Sequence, residues 1–234
     1  MTRLKHITFT GIDERVDVAQ LCSIQKEYPI AEFGILTSYH WYENGNRYLD
    51  PRMIRKFLGK GLNLSLHICG SAAHDAALGN YGDIHHLTYG TYGYIPRIQL
   101  NLSERKDNPK VISPSPYGHE IIIQQRNVDN LKLFSSTQEK WRDYRGHLSV
   151  LLDASGGRGL DTPLDTVLVS TNKVGYAGGF NPDNVSDKLS FLLAHHHAGE
   201  FWIDMESGVR TDDWFDLDKV VNVLNKCRDC LDNE

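Results

Sequence analysis

The sequence predicts an α/β chain folded as a (β/α)8 TIM barrel, on three observations. Eight short apolar runs recur along the chain, most of them separated by stretches with apolar residues three and four apart, and two of the last runs end in small residues followed by a helix start. Repeated β then α argues for parallel strands, and eight of them argue for closure rather than an open sheet.

Taken in order, the strands are expected at residues 7–9, 31–36, 64–68, 97–100, 120–123, 149–152, 174–176 and 201–203. Crossover helices are expected over residues 17–28, 50–58, 128–144, 184–194 and 212–231, where apolar residues repeat at helical spacing. Two stretches break the alternation. Residues 80–96, rich in Gly, Tyr and His, enter a strand from the N-terminal face of the barrel, where stability or partner contacts are expected rather than catalysis. Residues 102–119 stand where a fourth helix belongs, but Pro109, Pro114 and Pro116 reduce it to an irregular loop over the catalytic face. Val167-Leu168-Val169 fits either a strand or the remnant of the sixth helix.

At 234 residues, with 40% hydrophobic and 24% charged residues, the chain suits a single barrel domain spanning 1–234. Its net charge of −5 comes from interspersed signs, without the basic stripe that nucleic-acid binding needs. No apolar signal region follows Met1 and no run approaches membrane-spanning length, so the reading is cytoplasmic, without membrane or nucleic-acid partners. Cys22, Cys69, Cys227 and Cys230 are too scattered for a disulfide framework, and Cys227-x-x-Cys230 falls at a helix end, where a redox motif would need a helix start. His195-His196-His197 and His85-His86 read as solvated loops, since consecutive histidines cannot converge on one ion; neither a metal nor a cofactor is expected. Tyr81, Tyr89, Tyr92 and Tyr94 fit either a homodimer contact or a plug in the barrel's floor.

In a barrel of this kind the residues just past each strand converge on one mouth. Here they are Thr10, Gly11, Asp13, Arg47, Cys69, Asn101, Gln124, Asp153, Gly178, Asp204 and Ser207. Asp153 follows the apolar run Val150-Leu151-Leu152, where a carboxylate is costly unless it has partners or chemistry, so it is the candidate general acid or base. Arg47 is the natural bidentate partner for a carboxylate or phosphate. Gly178-Gly179, before Asn181-Pro182-Asp183, and Glu206-Ser207-Gly208 are turns whose N–H groups suit a phosphate at a helix start. Cys69, backed by Gly70, reaches the same mouth as a candidate base or nucleophile. The aromatic run Tyr39-His40-Trp41-Tyr42 should overhang it, as a stacking lid or as a self-packed cluster.

These motifs resemble the phosphoribosylanthranilate isomerase family, ribulose-phosphate-binding (β/α)8 barrels that perform an Amadori rearrangement. Leu151-Leu152-Asp153 with Gly156-Gly157-Arg158-Gly159 resembles the family's sixth strand and glycine-rich loop; the run from Gly178 to Val185 resembles its seventh, and Asp204-Met205-Glu206-Ser207-Gly208-Val209 its eighth. Phe33-Gly34-Ile35-Leu36 with Asn46-Arg47-Tyr48 resembles the second strand and substrate-facing arginine, and Ile98-Gln99-Leu100 the fourth strand. The resemblance implies phosphate binding at Gly157, Gly178, Gly179, Ser207 and Gly208. Substrate contacts fall to Arg47, Asn101, Gln124 and Asp204, and catalysis to Asp153 with Cys69 and Thr10.

Two departures stand out. Thr10, in Thr8-Phe9-Thr10-Gly11, occupies the place of the family's catalytic cysteine, and its hydroxyl cannot serve as that base. Asn101 stands where the fourth strand carries histidine, so the pocket is expected to be rebuilt for another ligand. The expected function is therefore an isomerase or related lyase acting on a small phosphoribosyl or phosphosugar substrate by proton transfer. A non-catalytic binder of a phosphorylated nucleotide or metabolite is the alternative.

Overall fold

The structure is a computed structural model that describes residues 4–40, 45–90, 93–103, 107–125, 128–141, 148–153, 155, 173–196 and 199–232. Eight parallel strands, β1 Leu4–Thr10, β2 Ala31–Thr37, β3 Leu64–Cys69, β4 Arg97–Asn101, β5 Glu120–Gln125, β6 Leu148–Asp153, β7 Lys173–Ala177 and β8 Glu200–Met205, close into a barrel. Each strand pairs with its sequence neighbours, and β8 pairs back onto β1 through Ile7 opposite Ile203 and Thr8 opposite Asp204. Every expected strand is present, extended at its ends by one to three residues.

The helices follow the expected pattern with corrections. Helix α1, Val18–Glu27, starts at Asp17, whose side chain accepts from the Ala19 N–H, and it buries Leu21 and Ile24. Helix α2, Pro51–Ile54, is shorter than the expected 50–58, and turns complete the crossover. Two helices lie where none was expected: α3, Gly70–Ala77, springs directly from the end of β3, and α4, Gly82–Thr88, falls inside the 80–96 stretch that breaks the alternation. Between β4 and β5 no described residue is helical. Ile112 of that connection is held by α5, Val128–Lys140, where Thr137 Oγ1 accepts from the Ile112 N–H, and by the Trp141 indole, which donates to the Ile112 carbonyl. Helix α6 is Val185–His195, and α7 is Leu217–Asp232, five residues later than expected at its start. Residues 210–215 form a small antiparallel ribbon instead, turning through Asp212 and Asp213 at positive φ. Val220, Val223, Leu224 and Cys227 form the buried stripe of α7. Residues 167–169 lie outside the described residues. Among the described residues no helix is long and apolar enough to cross a membrane.

Alternation along the strands separates two interiors. Phe9, Phe33, Ile35, Leu66, Ile68, Ile98, Leu100 and Val150 join helix side chains such as Leu21, Leu189 and Val223 in one core around the barrel. Each such residue contributes about 1.5–3 kcal/mol by leaving water. Ile122, Leu151 and Trp202, with Ala177 against them, form a separate small cluster. Gly175 is obligatory beside it, since a Cβ there would sit 2.2 Å from Trp202 Cε2.

Below that cluster lies a buried ionic layer. Arg97 donates to both oxygens of Glu32 at 2.6 and 2.7 Å, lies 3.3 Å from Glu120 Oε2 and stacks over Trp202. Thr8 donates to Glu32, while Ser149 and Lys173 donate to Glu120. Burial opposes ionisation of Glu32, but the Arg97 guanidinium outweighs it and holds this carboxyl at about 2.

Several surface expectations change with the fold. His196 is buried and bonded through Nδ1 to the Tyr176 hydroxyl at 2.8 Å, so it is not part of a solvated loop; His195 closes α6 and His197 lies outside the described residues. His85 belongs to α4 and stacks on Tyr117 at 3.8 Å. Tyr81 is buried and donates to the Ser113 carbonyl, which removes it from any surface contact, while Tyr94 stays exposed; the side chains of Tyr89 and Tyr92 lie outside the description.

Candidate functional site

A cleft of about 600 Å³, counting its space open to solvent, sits at the C-terminal ends of the strands. It gathers Thr10, Arg47, Asn101, Gln124, Asp153, Gly178, Gly179, Asp204 and Ser207 of the expected residues. Gly157 lies outside the described residues.

The centre of the site is one lateral row. Asp153 and Asp204 are both paired with Ala177, one from each side, so the two carboxyl groups flank a residue whose side chain is a single methyl. Two interstrand spacings put their Cα atoms about 10 Å apart. Asp153 is fixed by three donors: Gln124 Nε2 at 2.7 Å, the Ser155 N–H at 3.1 Å and Ser155 Oγ at 2.7 Å. Asp204 accepts from Thr10 Oγ1 at 2.7 Å and faces His67 Nδ1 at 4.0 Å. Burial pushes the Asp204 carboxyl up to about 8, opposed by the Thr10 hydrogen bond and reinforced by Glu206, Glu32 and Asp153. Burial likewise pushes His67 down to about 4, so the ring is neutral near pH 7. Gly34 makes this grouping possible: a Cβ there would lie 2.7 Å from Thr10 Oγ1 and 3.0 Å from His67 Nε2.

The turns after β7 and β8 stand side by side. Gly178 and Gly179 both take positive φ, which permits the tight exit from β7. The eighth turn is a short 3-10 helix, Ser207–Val209. Gly208 lies against the seventh turn so closely that a Cβ would meet the Phe180 carbonyl at 2.0 Å; it joins the turns and does not line the cleft. No described backbone carbonyl accepts from the N–H groups of Gly178, Gly179 or Ser207. Asn181 does not cap α6 directly. Its Oδ1 accepts from the N–H groups of Asp183 and Asn184, making a turn that precedes the helix.

Other expected residues have different surroundings from those foreseen. Cys69 is half-buried and does not line the cleft; its sulfur accepts from Asn101 Nδ2 at 3.3 Å. Arg47 lines the cleft, but its terminal nitrogens already donate to Glu206 at 2.8 Å and Asp213 at 2.5 Å. Asp13 is fully buried beneath the mouth, paired with Arg210 at 3.3 Å and accepting from the Phe215 N–H. Tyr39 is exposed, its hydroxyl turned to Asp75 on α3, and residues 41–44 lie outside the description.

His67, Gln99 and Ser155 line the cleft without having been expected there, and Glu206 of the expected eighth turn lines it through its side chain. A signal for two of them was available: Ser65-x-His67-x-Cys69 and Arg97-x-Gln99-x-Asn101 place polar residues at the two-residue period of one strand face.

The family model described as PRAI, N-(5'phosphoribosyl)anthranilate (PRA) isomerase, matches residues 96–226. The solved N-(5'-phosphoribosyl)anthranilate isomerase from Pyrococcus furiosus has a similar fold, with a TM-score of 0.53 at 14% identity; the match covers 96% of this chain and 98% of that one. No curated protein matches.

Proposed function

Since the chain belongs to the N-(5'-phosphoribosyl)anthranilate isomerase family, we propose that it is an enzyme that moves protons on a small phosphorylated substrate. The observation that carries the reading is the row Asp153, Ala177, Asp204 beneath two turns with N–H groups to offer.

The phosphate is assigned to the N–H groups of Gly178, Gly179 and Ser207, where binding energy can be used to position the reacting carbon. The methyl of Ala177 leaves that carbon room between the two carboxyl groups. Asp153, already bonded as an acceptor by Gln124 and Ser155, takes a proton from the carbon next to a carbonyl or imine. Asp204, whose carboxyl burial keeps protonated up to about pH 8, supplies one to the heteroatom to give an enol or enamine. Asp153 then returns its proton to the neighbouring carbon and Asp204 takes one back, a net isomerisation, or the protonated heteroatom leaves, an elimination. Thr10 orients Asp204 through its 2.7 Å hydrogen bond and is not itself the base.

Replacing Asp153→Asn tests the assignment. Turnover of a phosphosugar, followed by mass spectrometry, should fall by at least about 100-fold while inorganic phosphate affinity is retained; loss of both together counts against it. The alternative of a non-catalytic binder is favoured by one observation: the Thr10 hydroxyl is engaged and Cys69 stands outside the cleft, so neither replaces the family's thiol. That reading predicts capture of the same ligands without conversion.

A further inference from the structure

Donors and acceptors are unequally distributed around the cleft. Thr10, Gln124 and Ser155 each donate to Asp204 or Asp153, Gln99 Nε2 donates to Asn101 Oδ1, and both terminal nitrogens of Arg47 are held by carboxylates. Each of these side chains therefore has a donor engaged inside the protein. Acceptor capacity is what remains: Gln99 is 2% exposed and its Oε1 has no partner, and the carboxylates of Asp153 and Glu206 line the same cleft. Open donors lie at its rim, at the backbone of the turns after β7 and β8.

Charge tells the same story. Arg47 is the one cationic side chain among the described lining residues, and Glu206 and Asp213 together outweigh it. A second carboxylate brought to Arg47 would face Glu206 at close range, and like-charge contact in a partly buried site is repulsive.

Building on the phosphate reading above, we infer that the substrate's other half presents hydroxyl or amino donors and carries no carboxylate, Arg47 being a clamp between the second and eighth loops. The ligand is then bipolar. Its anionic end accepts from the turns, and its donor end meets Gln99 and Asp153.

Calorimetric titration of the full chain at pH 7 with ribitol 5-phosphate, glucosamine 6-phosphate and 3-phosphoglycerate, each carrying one phosphate ester, tests this. At least one of the first two should bind about 10-fold tighter than 3-phosphoglycerate or better; the polyol and amine arms distinguish hydroxyl from amino recognition. In Glu206→Gln the affinity for 3-phosphoglycerate should rise about 10-fold as Arg47 is released. Equal or tighter binding of 3-phosphoglycerate by the unmodified protein overturns the inference, whatever the variant does. Failure of inorganic phosphate to displace bound ligand overturns the phosphate reading while leaving the donor preference standing. Binding of none of the three overturns both.

Discussion

Burial decides what Asp204 can do. With its folded pKa raised from 3.8 to about 8, the carboxyl stays protonated in the native chain where the unfolded chain ionises it. The native state then binds more protons, so this group's contribution to stability is full below pH 4 and is lost as pH rises towards 8. Glu32 works in the opposite sense: held at about 2, it contributes above its unfolded value of 4.5 and loses that contribution as pH falls towards 2. Asp204→Asn keeps an oxygen for Thr10 while removing the titration. Melting curves should show its Tm gaining several degrees on the unmodified protein between pH 5 and pH 8, at about 2–4 °C per kcal/mol for a chain of this size. A constant difference across that range would contradict the assignment. The same substitution should lower turnover while leaving phosphate affinity in place, because the phosphate is assigned to backbone N–H groups and not to the Asp204 side chain.

Among the elements, the two turns after β7 and β8 matter most, and Gly208 sets their spacing. Gly208→Ala drives a methyl into the Phe180 carbonyl, so the turns must part. Titration should show phosphate affinity falling at least about 10-fold, with some loss of Tm as well, because Phe180 and Val209 at the contact belong to the core. Gly175→Ala should act on stability instead: overpacking against Trp202 costs about 1–3 kcal/mol of stability by denaturant unfolding. Strand ends were legible in the sequence because apolar runs stop where the polar mouth begins, which is how Thr10, Asn101, Gln124, Asp153 and Asp204 could be found. His67 and Gln99 were missed because they lie inside their strands and not just past them, although Leu64–Cys69 and Arg97–Asn101 alternate polar with apolar residues. Helix α3 escaped notice because it begins at Gly70 behind Cys69, with no side-chain cap to announce it. The late start of α7 escaped for another reason: Asp212 and Asp213, acidic residues that suit a helix's first turn, adopt positive φ in a ribbon instead.

For the molecule as a whole, the barrel holds a charged floor, an apolar middle and a polar mouth, one above another. Arg97 links the lower two, bonded to Glu32 and lying under Trp202, which in turn packs against Leu151 below the cleft. Arg97→Met should cost about 3–5 kcal/mol in denaturant unfolding, because it strands the buried Glu32 without its cation, while Glu120 keeps Lys173. That layering leaves the mouth as the place for chemistry, and proton transfer between Asp153 and Asp204 is the claim on which the functional reading depends. Deuterium exchange tests it most directly: phosphosugars that bind are incubated with the protein in D2O and followed by mass spectrometry. Deuterium should be incorporated at the carbon next to the carbonyl by the unmodified chain and not by Asp153→Asn, although both bind the ligand. Ligands that bind without exchanging, or that exchange equally in the two proteins, would contradict that claim.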